Sequence, residues 1–401
     1  MSGAMFLKEC RKTLNNITYL VFVAVLILFC YSQFWAGLEK IEKPQQGQES
    51  YGTKYAEVPE IIMPNATENL FREFTSNSYI AYPVGFYKNI KLNDKKQGEM
   101  AGILSQLTGI SKDELMKSVG MESVTVDGTL TYEKFLKLME QADKLIGGGS
   151  MYDGIYLVRF GKVPMTYEDA LSEYDDIVEK DRITGAYARL FCDYLGIILA
   201  IFPVFIAVAA SMKDRRARMQ ELIYAKEMSS FKIVFTRYFS MILIMFLPVL
   251  LMAVYTQIQV AGDYSGFYTD KLAFIKYSFG WLLPTLMVST AVGTFFTELT
   301  DTAIAIAVQG LWWFIGMFGG MKHIDGGYGA ALALRHNKIG NTQVYLEHLN
   351  ILLLNRIGYM FFALVLIVAA VWIYELKRRG KFNAFDSFKK IFTHRLSKFK
   401  A

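Results

Sequence analysis

The chain has 401 residues, 53% of them hydrophobic, with 43 Lys and Arg against 37 Asp and Glu, a net charge of +6. These charges are segregated along the chain by sign, which gives no reason to expect a nucleic-acid partner. Three cysteines and four scattered histidines, without metal-ligand spacing, argue against a disulfide framework and against a zinc site.

At the N-terminus, Leu7, Cys10 and Leu14 share one helical face while Lys8, Arg11 and Lys12 share another. Residues 1–16 are therefore expected to form a basic amphipathic helix along the headgroup layer, the alternative being a disordered basic start. Six long apolar runs follow, at 17–35, 190–212, 238–254, 277–297, 303–321 and 357–376. A hydrocarbon core needs roughly 20 apolar helical residues to cross it, and each run is about that long. The first run ends in the bulky Ser32, Gln33, Phe34 and Trp35, so it is expected to be an uncleaved anchor rather than a signal peptide. The sequence thus predicts an all-α polytopic membrane protein with six transmembrane helices.

Between the first two runs, residues 35–182 carry 17 basic against 24 acidic side chains, a net of −7. The loop at 213–232 has six basic and three acidic residues, and the tail at 375–401 has nine basic and two acidic. Short cytoplasmic loops collect Lys and Arg, so both termini and the 213–232 loop are expected inside and the 36–189 insert outside, as a mainly helical extracellular domain. Within the insert, Ser111 with Glu114 has capping-box form and Thr166 precedes an acidic helical run. Pro83, Gly85, the glycines 147–149 and Pro164 punctuate about five helices, with an extended piece expected at 156–160. Asp127 and Gly128 resemble half of an EF-hand loop, but Lys134 falls where a bidentate carboxylate is required, so a glycine turn is expected instead. Asn65, Ala66 and Thr67 fit a glycosylation sequon.

No Gly-rich phosphate loop ending in Lys-Ser or Lys-Thr occurs, nor a nucleophile elbow, a His-Glu-x-x-His pair or a kinase set. The chain is therefore not expected to be an enzyme by itself. In the loop at 213–229, Met219, Leu222 and Ile223 have helical apolar spacing, Arg215, Arg218 and Glu221 form a charged face, and Ser229 or Ser230 caps the next span. A short helix parallel to the membrane is suited to receive a push from a cytoplasmic partner; a solvated basic loop is the other reading.

With an N-terminal interfacial helix, six spans, a large insert after the first and this charged loop after the second, the chain resembles the membrane subunit of type 2 ABC transporters, the exporter class. Asp214, Arg218, Leu222 and the Ser229 and Ser230 pair match that family's coupling segment in order, while Met219 and Gln220 stand where Gly-Thr is common. The segment from Leu334 through Arg335, His336, Asn337 and Lys338 to Gly340, with Asn355 and Arg356, looks like permeases of Gram-positive bacteria, often found beside antimicrobial-peptide genes. The resemblance implies a permease in the bacterial plasma membrane that pairs with a second permease chain, as a homo- or heterodimer, and with two ATP-binding subunits holding ATP and Mg. It implies ATPase coupling through Asp214, Arg215, Arg218, Glu221, Leu222, Tyr224 and Lys226, and export of a hydrophobic or amphipathic substrate such as a peptide antibiotic, a lipid or a drug-like molecule. It also implies an outer segment at 322–355 that dips toward the bilayer, in which 330–334 and 344–354 would be short helices. A non-transporting sensor or immunity protein that binds a peptide through its insert is the alternative, and a cation-exporting permease is a further one.

Within the spans, Pro203, Pro248 and Pro284 are expected to interrupt three helices, and Gly310, Gly316, Gly319 and Gly320 to allow close helix approach in the fifth. Gln309, Trp312 and Trp313, with Pro284 and Pro248, are candidates for a substrate path. Arg189 and Asp193, four apart, are expected to pair with each other at the outer end of the second span. In the tail, Phe385, Phe388 and Phe392 are interleaved with Lys389, Lys390 and Arg395, a basic amphipathic helix for an anionic leaflet.

Overall fold

The computed structural model describes residues 3–83, 85–117, 123–225, 227–320 and 327–382. The tail residues Phe385, Phe388, Lys389, Lys390, Phe392 and Arg395 and the loop residue Lys226 lie outside them. The described chain is mostly helical and divides into two compact units, one built from 3–41, 175–320 and 327–382, the other from described residues between 42 and 174. The first unit begins with α1 (Gly3–Leu14) and α2 (Ile17–Gln33), separated at Asn16, whose side chain caps α2 by accepting from the Thr18 amide at 3.1 Å. Of the apolar face expected on α1, only Cys10 is buried, together with Thr13; Leu7 and Leu14 are exposed.

The insert unit contains α3 (Pro59–Ser76), α4 (Asp94–Thr108), α5 (Lys112–Met116), α6 (Tyr132–Ile146), α7 (Gly154–Leu157) and most of α8 (Tyr167–Glu179). Two small antiparallel ladders accompany them: β1 (Thr53–Tyr55) with β4 (Lys162–Pro164), and β2 (Tyr79–Ala81) with β3 (Lys88–Ile90). The extended piece therefore lies at β4, not at 156–160, which forms α7 and a 3-10 turn over Val158–Gly161. Local signals act as chemistry requires. Ser111 accepts from the Glu114 amide, and Thr166 and Asp169 cap each other reciprocally at 3.0 and 3.1 Å. Asp127 accepts from the Thr129 amide and hydroxyl, both at 2.8 Å, closing an Asx turn around Gly128. Gly149 adopts φ +74 with its Cα pressed on Pro83, where a Cβ would meet the Pro83 Cα at 2.8 Å. The core joins Ile62, Leu70 and Phe71 of α3 with Leu104 of α4 and Phe135 and Met139 of α6. The sequon lies on α3 with Thr67 buried and the Asn65 side chain donating to the Phe160 carbonyl at 2.9 Å, so helix and core already use its residues.

The first unit continues with α9 (Thr184–Leu199), α10 (Pro203–Arg216), α11 (Gln220–Tyr224), α12 (Ser230–Asp263), α13 (Ala273–Tyr277), α14 (Leu283–Thr300), α15 (Ile304–Gly320), α16 (Thr342–Glu347) and α17 (Leu349–Arg378). Among the described residues, five helical stretches are long and apolar enough to cross a membrane: Ile17–Gly37, Thr184–Arg216, Ser230–Asp263, Ala273–Thr300 and Leu349–Arg378. The apolar stretch Ile304–Phe318 of α15 is shorter than these. α14 is the most buried span and packs most extensively on α17 and α10. Close approach to α10 comes from Gly293 of α14, whose missing Cβ would lie 2.6 Å from the Ala207 Cβ. Gly310 and Gly316, expected to serve this purpose, have nothing within 4 Å of their Cβ positions.

The three prolines differ in effect. Pro203 lacks the amide that would continue α9, so the chain turns at 200–202 before α10 starts. Pro248 sits inside α12 without ending it, and Pro284 follows a π-helical turn at Ser278–Leu282. The 330–334 stretch is irregular rather than helical, and 349–354 is the first part of the long α17, leaving α16 as the short helix of that region.

Candidate functional site

The loop expected as one helix over 213–229 is two pieces. α10 runs on through Arg216, and Arg218 then enters the left-handed region at φ 54, which ends the helix; the Met219 amide closes the turn on the Asp214 carbonyl at 2.9 Å. The five residues of α11 follow, and Ser229 caps α12 by accepting from the Lys232 amide at 3.3 Å. The charged face read from the sequence is thereby divided. Asp214 accepts from Arg237 of α12, and Arg215 pairs with Asp301, the residue that ends α14. Lys377 of α17 also reaches Asp301 and lies 3.7 Å from Glu298. Arg378 donates to the carbonyls of Tyr224 at 2.8 Å and Met228 at 2.5 Å, and the Tyr224 ring meets Tyr374 edge-on at 5.4 Å. Ser230 donates to Glu375. By contrast Arg218, Glu221 and Leu222 are exposed, as is Met219.

The arrangement is an anchored loop with a free crest. Asp214, Arg215 and Tyr224 tie it to α12, α14 and α17, while Arg218, Glu221 and Leu222 leave one cation, one anion and an apolar side chain exposed. Ion pairs at such a boundary are individually weak when exposed, but those sharing Asp301 are mostly shielded and form a network, which is where they hold geometry. Beside the loop lies a cleft between α1, α10 and α12, lined on its polar side by Glu9, Lys12, Lys213, Asp214 and Arg237.

At the opposite end of the same unit, Arg189 and Asp193 do not pair with each other. Arg189 is fully buried, donates to Asp181 at 2.5 Å and to the Ile339 carbonyl at 2.9 Å, and lies over the Tyr345 ring. Asp193, equally buried, accepts from Arg335 at 2.8 Å and from the amides of His336 and Asn337, both at 3.1 Å. Each buried charge thus has its own counter-charge on another segment, as burial of an ion demands. Burial pulls the pKa of His336 down to about 3, and its Nε2 sits 2.8 Å from the Gly340 carbonyl. Arg356 is also buried but has carbonyl partners instead of a carboxylate: Trp281, Ala331 and Leu332, with Thr285 and Asn355 completing the set. Together Arg189, Asp193 and Arg356 fasten the 328–342 segment to α9, α14 and α17. The sequence marks these residues as costly charges in an apolar run without naming their partners, since Arg335 and the carbonyls are remote in the chain and Asp181, eight residues before Arg189, precedes the helix.

The five residues proposed as a substrate path are dispersed. Gln309 is buried and donates to the Ala200 carbonyl at 2.5 Å; Trp313, one turn on, donates to the Ile197 carbonyl at 3.0 Å. Both reach the break between α9 and α10. Trp312 turns instead to Tyr359 and Phe362 of α17, at 6.0 and 6.1 Å between centroids. Pro248 and Pro284 are buried within α12 and α14. Among the described residues no group of three or more His, Cys, Asp or Glu is placed to hold a metal ion.

No family profile, no curated protein and no solved structure matches this chain.

Proposed function

We propose that the chain is the permease subunit of an ATP-driven exporter of hydrophobic or amphipathic molecules, energised by two separate ATPase subunits that press on the crest of the 213–229 loop. In this reading α15 completes six spans, both termini are cytoplasmic, the insert faces outward, and a second permease completes the pathway in a bacterial plasma membrane. The observation that carries it is the anchored loop. Arg218, Glu221 and Leu222 are exposed on a segment that is tied through Arg237, Asp301 and Arg378 to three spans, α12, α14 and α17, so a force on the crest is delivered to the bundle. The segregation of acidic insert and basic loop and tail supports the orientation. An energy source on another chain fits a sequence without a phosphate-binding loop.

The test is purification of the full-length chain with untagged products of its neighbouring genes, followed by reconstitution. The reading expects an ATP-hydrolysing chain to copurify, with hydrolysis stimulated by an amphipathic cargo. Recovery of the chain alone, or with a histidine kinase, would replace transport with a sensory role.

A further inference from the structure

The segment from Tyr328 to Gly340 is held to the bundle by side chains. Its main chain makes one backbone hydrogen bond among the described residues, in which the Arg335 carbonyl accepts from the Gly327 amide at 2.8 Å. Four consecutive carbonyls are instead taken up by about one turn of α17. Asn355 donates to Gly329 at 2.6 Å, Tyr359 to Ala330 at 2.5 Å, and Arg356 to Ala331 and Leu332 at 3.2 and 3.1 Å. Thr285 of α14 also donates to the Leu332 carbonyl, at 3.1 Å. Farther along, Asp193 of α9 accepts from the amides of His336 and Asn337 and from the Arg335 side chain, and Arg189 donates to the Ile339 carbonyl. Between these two grips Leu332 and Leu334 are buried.

That is the pattern by which a protein reads a peptide. Polar groups on a rigid scaffold bind carbonyls and amides that every peptide carries, while a counter-charge and apolar contacts select the side chains. A permanent filling of this space has no need of charge, because replacing a buried ion pair by apolar side chains of similar volume is often neutral or stabilising. The fit of the segment is also incomplete: Arg189 Nε is buried with no acceptor among the described residues.

We infer that α9, α14 and α17 form a peptide-binding groove occupied by the chain's own 329–340 segment, and that its ligand class is a peptide with leucines leading into an arginine. The arginine of an incoming peptide pairs with Asp193 in place of Arg335, and its carbonyls replace those of 329–332 on Asn355, Arg356 and Tyr359. The resident segment is then an internal competitor at the effective concentration of a tethered ligand, on the order of millimolar. Binding at this groove is a property of the chain alone, so the inference stands apart from the transport reading and its ATPase partners.

The experiment uses the full-length chain in detergent micelles and, as probe, a fluorescein-labelled peptide with the sequence of residues 328–341. Arg335→Ala weakens the internal competitor and leaves Asp193 without its cation. The peptide should therefore bind this variant on the order of 10-fold or more tighter than the unaltered chain. The gain should vanish when Asp193→Asn is added, and equally with a peptide that carries alanine in place of its arginine. On the unaltered chain, where no variant has to fold, millimolar peptide should speed amide hydrogen exchange across 329–340 as the segment is displaced. Equal affinity for the two chains, a gain that survives loss of the peptide's arginine or of Asp193, or exchange across 329–340 that is unchanged or slowed would each overturn the inference.

Discussion

Gln309 of α15 donates its side-chain amide to the carbonyl of Ala200, 2.5 Å away, at the point where α9 gives way to α10. In an unbroken helix that carbonyl accepts from the amide four residues on, but the Val204 amide here turns to Ile201. The Ile201 amide turns to Ile198 in the same way, and Trp313 takes the Ile197 carbonyl. Two side chains one turn apart on α15 thus satisfy backbone groups that the Pro203 break releases, where no water is at hand to do so.

The first prediction follows from this. Gln309→Leu conserves apolar volume but abandons the carbonyl, and interhelical hydrogen bonds in membranes are worth about 0.6 kcal/mol on average and at most about 1.7. A loss near the upper value is expected, about 1.5 kcal/mol, because the acceptor is left buried without a donor. Thermal unfolding of the detergent-solubilised chain should show it. Gln309→Leu/Trp313→Phe should cost less than the two single changes summed, since both clamp one break. Strict additivity would mean the two contacts act independently.

A second prediction separates the crest of the loop from its anchors. Arg218→Ala/Glu221→Ala removes only exposed groups, so insertion and thermal stability should be unchanged; under the transport reading, cargo movement should fall about fivefold or more relative to ATP hydrolysis. Arg215→Ala instead leaves Asp301 with Lys377 as its remaining partner and should destabilise the chain itself. Unchanged transport in the double variant would remove the crest from the mechanism.

How far the sequence could be read shows in these same elements. Apolar runs mark hydrocarbon, not helix, so 238–254 was visible while Ser230–Asp263 was not: the helix continues through polar ends that carry no hydropathy signal. Pro203 and Pro248 look alike in sequence, yet only the first coincides with an end of a helix, because α15 supplies Gln309 and Trp313 to the freed carbonyls there. The loop's division into anchor and crest depends on Arg218 at φ 54, a conformation that sequence rules assign to Gly or Asn. Arg189 and Asp193 have the spacing of a helical pair, but spacing is silent about stronger partners 8 and 142 residues away.

A third prediction concerns the insert. Residues 42–174 hold their own core and two sheet ladders, so they should fold when expressed alone, with a mainly helical circular dichroism spectrum. Burial raises the pKa of Glu73 above the ordinary carboxylate value, partly offset by the Tyr152 hydroxyl at 2.7 Å and the Ile80 amide at 3.2 Å. A raised folded pKa means that the folded state binds the proton more tightly than the unfolded chain. The stability contributed by this group is therefore fully present below the unfolded value of about 4.3 and is lost as pH rises through the folded one. Glu73→Gln should flatten that part of the stability profile in urea unfolding at a series of pH values. An unchanged slope would assign the pH dependence to other carboxylates.

The last prediction tests the pairing at the other end of the bundle. Breaking a buried ion pair by removing one partner costs about 3–5 kcal/mol, because the survivor keeps its charge without compensation. Arg189→Met and Asp181→Asn should each destabilise the chain by about 3 kcal/mol, and the double change should cost little more than either alone. The same cycle with Asp193→Asn should be close to additive, since Asp193 answers to Arg335. Measured by thermal unfolding, a large coupling between Arg189 and Asp193 and none between Arg189 and Asp181 would restore the helical pair that the spacing suggests. The energies then decide between proximity in sequence and proximity in space: Asp181 and Arg189 are joined at 2.5 Å, and Thr342 also donates to Asp181 at 2.5 Å, so losing either member of the pair should loosen the 328–342 segment as well.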